Sequence, residues 1–327
     1  MVKIRMTRKV FSCVLIGLGD IGLNYDLHQD QDKYVQTHAR AFYLNSGFNL
    51  QAGVDINTDA CNTFSKTYSI QSYTAIENAL LEIKPDLIIL ATPSSFQLEA
   101  IKKIAKCFVP KAILCEKPMG VNLDHGKEIV SICRKKDIRL YVNYIRRCLP
   151  ESKEVKKRID SSSIKFPMKC VVWYSKGLMH NGSHFINLME YWFGKCFDIK
   201  IIDKGREFKS FGSEPSVYIK FENCEVTLIP AWEELYSHYT VELICATGRL
   251  YWSQKNLEWT KVVSSENLKG YSYLAEKSEE IFTGAEKYQM HVAEELYLAM
   301  SGQVSSISTG EQALETLNTI DSILSMD

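Results

Sequence analysis

A glycine turn, together with a strand that ends in an acid, is the part of this sequence that points most directly to chemistry. An apolar run leads into Gly17, Gly19 and Gly22 in the pattern Gly-x-Gly-x-x-Gly, and a second apolar run ends at Asp55. The first glycine permits a tight turn, the second lets the backbone approach a pyrophosphate, and the third allows close packing behind the turn. This arrangement predicts a dinucleotide site.

The groups that would hold the dinucleotide follow from the same pattern. Amides at the start of the next helix, where Asp20 and Ile21 lie, would face the phosphates. Asp20 has a second interpretation, as a simple turn residue. The Asp55 carboxylate would accept hydrogen bonds from the adenosine ribose and would repel a 2′-phosphate. Because Ile56-Asn57 offer no basic residue for that phosphate, we expect NAD in preference to NADP.

A polar segment separates the glycine turn from the helix that should follow it. Asp55 lies farther from the glycines than the usual spacing of about 20 residues. Residues 23–36 lack clear periodicity, and helical patterning resumes after Thr37, a residue typical of N-caps. We interpret 23–36 as an inserted loop that could cover the cofactor, reach the substrate, or do neither. His38, in the helix that follows, is expected to be a surface or packing residue.

Strand-like and helical segments alternate after Asp55. The apolar runs 86–91 and 112–115 are typical of strands buried on both faces, and a further strand is predicted at 139–142. This order predicts a mostly parallel sheet with ligands at the carboxyl ends of its strands. Three residues that follow the first run are therefore expected near the ribose and the nicotinamide: Thr92, Pro93 and Ser94.

The pattern changes after about residue 150. Short β-rich runs with turn-like connections predict an antiparallel sheet. These runs are 170–174, 217–221, 226–229, 240–245 and 250–252. One helix, at 184–193, interrupts them, and the charged stretch 153–158 is expected to be a solvated helix face.

Composition argues against several classes of protein. Basic and acidic residues are equal, at 39 each, so no net charge directs the chain to nucleic acid or acidic lipid. No apolar run approaches the roughly 18 residues needed to span a membrane. None of the ten cysteines forms a Cys-x-x-Cys pair, which favours reduced, buried thiols over disulfides or zinc ligands. We expect a cytoplasmic protein without a metal site.

Five short motifs occur in an order that is typical of one family. They are the glycine turn, Ala91-Thr-Pro-Ser, Glu116-Lys117-Pro118, Asn143-Tyr-Ile-Arg146 and Gly182-Ser-His184. With the closing pattern at 311–321, the chain resembles the glucose–fructose oxidoreductase, inositol dehydrogenase and MocA (Gfo/Idh/MocA) family over essentially its whole length. The resemblance implies an NAD(P)-binding Rossmann domain and an open antiparallel sheet domain that pairs into homodimers or homotetramers.

We accordingly predict an α/β fold of two domains. The Rossmann domain, a doubly wound parallel sheet, would span residues 1–122. A C-terminal α+β domain with an open antiparallel sheet, at 123–327, would bind substrate and form oligomers. Its closing helices, at about 286–300 and 310–324, can pack back on the first domain.

The resemblance assigns the chemistry to two residues. Lys117 matches the family's lysine beside the nicotinamide and the substrate hydroxyl, where an ammonium can polarise the reacting oxygen. The alternative is an exposed lysine after a strand. His184 matches the histidine that exchanges the hydroxyl proton, a task that suits a pKa near neutrality. The alternative there is a histidine that merely starts its helix.

The sequence departs from the family next to His184. The resemblance implies an aspartate four residues before this histidine and another three residues after it, whereas this chain has His180 and Asn187. Asn187 can hydrogen-bond to a sugar but cannot titrate. His180 could act as an alternative acid or base, or contact an anionic group. With Asn181 it lies in a donor-rich segment that would suit a nucleotide-sugar phosphate or a carboxylate.

Four further residues are weaker candidates for the site. Glu116 is expected near the nicotinamide ribose, with a surface carboxylate as the alternative. Tyr144, Arg146 and Arg147 could face a substrate cleft, and arginine suits phosphate or carboxylate groups. For Tyr144, packing in the core is an equal alternative.

The activity expected is NAD-dependent hydride transfer between nicotinamide and a secondary alcohol or ketone of a carbohydrate or nucleotide sugar. Two alternatives stay open. One is an enzyme with transient hydride transfer, an epimerase or eliminase that keeps its cofactor. The other is a dinucleotide-binding regulatory protein without catalysis.

Overall fold

The structure is a computed structural model that describes residues 9–208, 211–254 and 256–326. The outer ends of the two predicted domains, at residues 1–8 and 327, therefore lie outside the described residues. So do residues 209–210 and 255 of the predicted second domain.

Contacts between residues divide the chain into two compact units. The first is Met1–Cys148 with Ala285–Leu314, and the second is Leu149–Gly284 with Glu315–Asp327. Each unit thus consists of two separate segments of the chain. A domain limit at residue 122 stays a prediction, although the sheet of the first unit takes in 139–142 and 308–309.

The described residues of the first unit form a seven-stranded sheet. Its strands are β1 (Phe11–Ile16), β2 (Phe48–Val54), β3 (Gln71–Tyr73), β4 (Leu87–Leu90), β5 (Ala112–Cys115), β6 (Arg139–Val142) and β16 (Ser308–Thr309). They lie in the order β16-β6-β5-β4-β1-β2-β3. All pairs are parallel except β16 with β6. The strand order reverses at β1, which is where ligands bind in such sheets. The predicted doubly wound sheet is confirmed.

Helices connect the parallel strands. They are α1 (His38–Leu44), α2 (Thr58–Tyr68), α3 (Ile76–Ile83), α4 (Ser94–Cys107), α5 (Leu123–Lys135) and α6 (Ile145–Cys148), with α9 (Tyr288–Met300) returning to this unit. Side chains of Thr37, Asn57 and Asn122 cap α1, α2 and α5 by accepting hydrogen bonds from backbone amides of the first turn. The predicted N-cap at Thr37 is confirmed.

The predicted insertion is attached to the helices around it. Residues 23 and 24 belong to a π-helical turn, Asp20–Asn24, so the inserted loop begins later than predicted. The buried Asp26 carboxylate accepts hydrogen bonds from Gln36 N (2.6 Å), Thr37 N (3.0 Å) and Thr37 Oγ1 (2.8 Å). Val35 exchanges backbone hydrogen bonds with residues 286 and 289 at the start of α9.

The second unit contains a nine-stranded sheet, counted over the described residues. Its strands are β7 (Met168–Tyr174), β8 (Cys196–Phe208), β9 (Gly212–Phe221), β10 (Glu225–Pro230), β11 (Thr240–Cys245), β12 (Gly248–Ser253), β13 (Leu257–Ser264), β14 (Ser272–Leu274) and β15 (Glu279–Ile281). They lie in the order β14-β13-β12-β11-β7-β10-β9-β8, and β15 pairs with β13. The predicted antiparallel sheet is confirmed, with one parallel pair, β7 with β10. Strands β8, β13, β14 and β15 were not predicted.

Three helices accompany this sheet in the described residues: α7 (Pro150–Asp160), α8 (Ser183–Phe193) and α10 (Gly310–Leu324). The division between the units at Leu314 falls inside α10. Trp192 of α8 is 1% exposed, and its Nε1 donates to Ser152 O of α7 at 3.1 Å. The charged stretch of α7 is solvated in part, but Arg158 also donates to Glu279 of β15.

The burial of the thiols matches the expectation from sequence. Eight of the ten cysteines are buried. Among the helices of the described residues, none is long and apolar enough to cross a membrane.

Asp26→Ala should lower the free energy of unfolding by about 2–4 kcal/mol, because it leaves buried donors of the insertion and α1 without an acceptor. Urea unfolding followed by circular dichroism measures the change. Asp32→Ala, an exposed acid of the same insertion, is the matched control and should change stability by less than about 0.5 kcal/mol. Equal losses in the two variants would contradict the anchoring role of Asp26.

Candidate active site

The three glycines of the turn have different surroundings. Gly17 has a φ of +98°, and an added Cβ would lie 2.6 Å from the Ala91 carbonyl oxygen. An added Cβ at Gly22 would lie 2.1 Å from the carbonyl oxygen of Gly17. At Gly19, by contrast, no heavy atom of the described residues lies within 4 Å of that position, apart from those of Gly19 and its two chain neighbours. Two glycines are therefore required by packing, and the third borders open space.

The turn continues into a short π-helical segment instead of a long helix. Leu23 N and Asn24 N both donate to Gly19 O, at 2.8 and 3.3 Å. Asp20 is exposed and its Oδ1 accepts from Asn24 Nδ2 at 3.4 Å, which agrees with the turn interpretation of this residue. Ile21 is half-buried. Cofactor contacts at Asp20 and Ile21 stay a prediction.

Asp55 follows β2 and connects it to the glycine turn. Its Oδ2 accepts from Leu18 N at 2.7 Å, and its Oδ1 accepts from Asn57 N at 2.9 Å. Each carboxylate oxygen can accept a second hydrogen bond, so the group keeps capacity for ribose hydroxyls. Ile56, beside it, is 92% exposed.

The residues after β4 lie at the same edge of the sheet. Pro93 precedes α4 as its N-cap, and Ser94 Oγ donates to Pro118 O at 3.0 Å, which joins the ends of β4 and β5. The Oγ1 atom of Thr92 is buried, and no described residue forms a hydrogen bond to it. This hydroxyl and the open space at Gly19 fit a bound dinucleotide.

Glu116, at the end of β5, is buried, so the surface alternative for it is wrong. Its Oε1 lies 2.7 Å from His38 Nε2 and accepts from Asn143 Nδ2 at 2.5 Å, while Oε2 accepts from Lys117 N at 3.2 Å. Its pKa is lowered: burial alone would raise it, but the hydrogen bonds from His38 and Asn143 and the charge of Lys117 outweigh burial. The carboxylate is therefore ionised.

Lys117 is half-buried next to this carboxylate. The pKa of its amine is lowered to about 8: burial and the Arg146 guanidinium lower it, and the Glu116 carboxylate opposes both effects. The interaction with Arg146 of α6 places the two cations near each other. The alternative of an ordinary exposed lysine does not fit this environment.

The residues that follow Asn143 have different environments. Tyr144 is 1% exposed, which favours the core-packing alternative. Arg147 is also buried, and its Nε donates to Ser306 O at 2.7 Å, a structural contact. Arg146 is half-buried. Substrate contacts of Tyr144 and Arg146 stay predictions.

In the second unit, His184 is the second residue of α8 and is 6% exposed. A π-helical segment, Gly177–Gly182, precedes the helix and carries His180 and Asn181. His180 is exposed, with its ring centroid 5.1 Å from that of Phe211, and Asn181 is half-buried. Single π-helical turns of this kind are frequent at functional sites.

Glu214 of β9 anchors this π-helical segment, although it belongs to none of the sequence motifs described above. The side chain is fully buried, its Oε1 accepts from Gly177 N at 3.0 Å, and its Oε2 accepts from Arg206 Nε at 2.9 Å. An acid at an inward-facing position of an alternating strand was the available signal. Glu214 fixes the start of the segment that leads to His184.

Asn187 is fully buried, and its Nδ2 donates to Thr316 Oγ1 of α10 at 2.9 Å. The same hydroxyl donates to Glu190. The described hydrogen bond of Asn187 is thus to a helix of its own unit. Its predicted contact with substrate, and the predicted convergence of His184 with Lys117, stay predictions.

Comparison with known proteins relates part of the chain to a sequence family and nearly all of it to known folds. A sequence model of the oxidoreductase family with an NAD-binding Rossmann fold matches residues 11–144. The chain is similar to the uncharacterized oxidoreductase YrbE of Bacillus subtilis, with 28% identity over 164 residues, 50% of this chain and 43% of the relative. The chain therefore spans less than half the length of that curated relative.

Two solved structures share the fold over nearly the whole chain. One is an oxidoreductase from Desulfitobacterium hafniense named as NADPH-dependent, with a TM-score of 0.79, 16% identity and coverage of 97% of this chain and 95% of that one. The other is the WlbA dehydrogenase from Bordetella pertussis in complex with NADH and UDP-GlcNAcA, with a TM-score of 0.75, 14% identity and the same coverage. At these identities the likeness shows the fold alone.

Alanine at two of the glycines should separate folding from binding. Gly22→Ala should cost about 2–3 kcal/mol of stability, because its Cβ meets backbone. Gly19→Ala should unfold like the wild type but bind NAD about tenfold or more weakly, because its methyl occupies the space through which backbone approaches a pyrophosphate. Thermal unfolding and calorimetric titration with NAD measure both effects. Undiminished NAD binding by Gly19→Ala would show that this space does not receive the dinucleotide.

Proposed function

Because the chain belongs, through residues 11–144, to the oxidoreductase family with an NAD-binding Rossmann fold, we propose that it is an NAD-dependent dehydrogenase. Its substrate would be a secondary alcohol or ketone of a carbohydrate or nucleotide sugar. The observation that carries this proposal is a half-buried amine, Lys117, held beside a buried carboxylate at the carboxyl end of β5. The glycine turn ends β1 at the same edge of the sheet. The nucleotide sugar named with the WlbA structure supports the substrate class.

The first unit would hold the dinucleotide with groups gathered at that edge. The open space at Gly19 would admit the pyrophosphate, and the buried Thr92 hydroxyl would gain a hydrogen-bond partner. When bound, the dinucleotide supplies the group that accepts or donates hydride. The protein's contribution is orientation, exclusion of water and proton handling.

Asp55 supports NAD over NADP. Hydrogen bonds from Leu18 and Asn57 amides hold the carboxylate at the end of β2. A 2′-phosphate there would meet a fixed negative charge, and neither residue 56 nor residue 57 is basic. One structural neighbour is named as NADPH-dependent and another is in complex with NADH, so the expectation of NAD rests on Asp55.

Lys117 would act on the reacting oxygen. With a pKa of about 8, its amine is largely an ammonium at neutral pH. An ammonium can donate a hydrogen bond to the substrate oxygen and stabilise the negative charge that develops there. Its partial burial strengthens that interaction, because little water competes for it.

His184 would exchange the hydroxyl proton on the substrate. The start of α8 and the segment anchored by Glu214 fix its backbone, and imidazole titrates near neutral pH. Its convergence with Lys117 on one substrate is part of this proposal. The exposed His180 and Asn181 would contact the anionic or sugar part of the substrate.

The surroundings of His184 favour a second candidate, transient hydride transfer. Neither position at which the resemblance implies an aspartate carries an acid, and Asn187 is hydrogen-bonded to Thr316. In this candidate the enzyme would be an epimerase or eliminase that returns its cofactor to the starting redox state. Isomerised or dehydrated product without net NADH would identify it.

We propose in addition that a second copy of the chain covers one face of the second sheet. Val171, Trp173 and Ile244 lie on that face and are 36%, 39% and 48% exposed. These side chains lie on adjacent strands of the antiparallel sheet domain through which the resemblance implies pairing, and they support association there. A homodimer or homotetramer would follow.

Lys117→Ala should bind NAD like the wild type but lose turnover by about 100-fold or more, because the substrate oxygen loses its charged donor. NADH absorbance with a panel of polyols, aldoses and UDP-sugars measures turnover, and calorimetry measures NAD binding. Lys106→Ala, at an exposed lysine of α4, is the matched control and should be unaffected. Full turnover by Lys117→Ala would remove Lys117 from the mechanism. A wild type that binds NAD, turns over nothing in the panel and captures a protein partner would support a regulatory protein instead.

The value of kcat/KM should fall as the pH rises above about 8, because the Lys117 ammonium loses its proton there. Well above that pH the decline should approach about tenfold per pH unit. A profile of kcat/KM against pH on the best substrate of the panel measures it. A flat profile through this range would contradict a required ammonium.

A further inference from the structure

Polar side chains from four elements of the first unit meet in its interior. His38 comes from α1, Glu116 from the end of β5, Asn143 from the end of β6 and Gln289 from α9, and their exposed fractions are 1%, 9%, 2% and 0%. Asn143 Nδ2 lies 2.5 Å from Glu116 Oε1 and 3.4 Å from Gln289 Oε1. His38 Nε2 lies 2.7 Å from the same carboxylate oxygen as Asn143.

Stability alone does not account for this group. Apolar residues of similar volume often stabilise a core more than buried charged or polar groups do, because burial removes their hydration. A continuous apolar core, including Phe42 of α1, lies beside it. The buried charge of Glu116 is therefore retained at a cost in folding stability. Its location next to Lys117 indicates that it acts on that residue.

The contacts of His38 define which of its two ring nitrogens carries the proton. Its Nδ1 has no hydrogen-bond partner in the described part of the chain, and an unpaired buried N–H costs more than an unpaired lone pair. The proton thus belongs on Nε2, where it is donated to Glu116. In this arrangement His38 is a hydrogen-bond donor to the carboxylate.

Glu116 connects His38 to Lys117. One carboxylate oxygen receives His38 and Asn143, and the other faces the Lys117 backbone amide. The negative charge raises the pKa of the Lys117 amine, against burial and Arg146, which both lower it. Other titratable groups near the carboxylate are Cys115 of β5 and Tyr288 of α9, and Tyr288 in turn lies near Tyr25 and Asp26.

We propose that His38 is a positioning residue: its imidazole holds the Glu116 carboxylate ionised beside Lys117, and that carboxylate keeps the Lys117 amine protonated. His38 touches neither reacting atoms nor cofactor in this scheme and acts through Glu116. The helix that follows the inserted loop would thereby set the charge of the amine at the end of β5.

This inference rests on the proposed function only for the statement that the Lys117 ammonium acts on the substrate oxygen. Its main test therefore does not involve turnover. Nuclear magnetic resonance of ¹³Cε-labelled lysine, with the Lys117 signal assigned from Lys117→Arg, gives the titration midpoint of the amine in the full chain. His38→Leu and Glu116→Gln should each lower that midpoint by about one pH unit. His38→Gln, which can still donate to the carboxylate, should leave it near the wild-type value.

Two comparisons make the test specific. His38→Leu should shift nothing further in a Glu116→Gln background, since both changes remove the same charge. His291→Leu should have no effect, because its partner, Glu294, lies on the surface of α9. If His38→Leu does not fold, His38→Ala, which also lacks the donor, provides the same comparison.

The outcomes distinguish this inference from the proposed function. Identical midpoints in wild type and Glu116→Gln, or additive shifts in the double variant, would overturn the role of His38. A lowered midpoint together with an equally lowered alkaline limit of kcat/KM supports both proposals. A lowered midpoint with an unchanged pH profile supports the role of His38 and rejects the catalytic role of Lys117.

Discussion

A buried carboxylate constrains much of the first unit. Glu116 lies at the end of a central parallel strand, where little of its surface reaches water, and its charge must be satisfied by protein groups. One partner comes from a helix before it in the sequence and another from the next strand of the sheet. Gln97 of α4 also binds the Glu116 carbonyl oxygen. Because these partners belong to separate elements, α1, α4 and β6 must all keep their positions for the Lys117 environment to exist.

The glycine turn imposes a second constraint on the same edge. Two of its glycines are in contact with backbone, so the end of β1 can approach β4 only without side chains there. The helix that usually follows such a turn is displaced by an insertion, and Asp26 compensates by holding the end of the insertion against the start of α1. The anchored end of the loop thereby places His38 next to Glu116, although the insertion lengthens the chain between the glycine turn and α1.

Local sequence patterns predicted those strands whose burial is visible in their own residues. The apolar runs at 86–91 and 112–115 predicted β4 and β5, because strands buried on both faces have no polar side. Strand β8 was missed because most of its residues are exposed or half-buried, so it lacks an apolar run. His38 and Glu214 were missed for another reason: a pattern shows that a position faces inward, but not which distant group will pair with it. The partner of His38 is 78 residues away.

The first unit is discontinuous in sequence, and this has a consequence for how the protein is made. Tyr297 of α9 packs against the rings of Phe11 in β1 and Phe48 in β2, with ring centroids 6.0 and 6.1 Å away. These two strands therefore gain this contact only after the strands of the second sheet have been synthesised. Until then, the nascent chain presents an unfinished apolar surface. Chaperones are suited to cover such a surface while the second unit is synthesised.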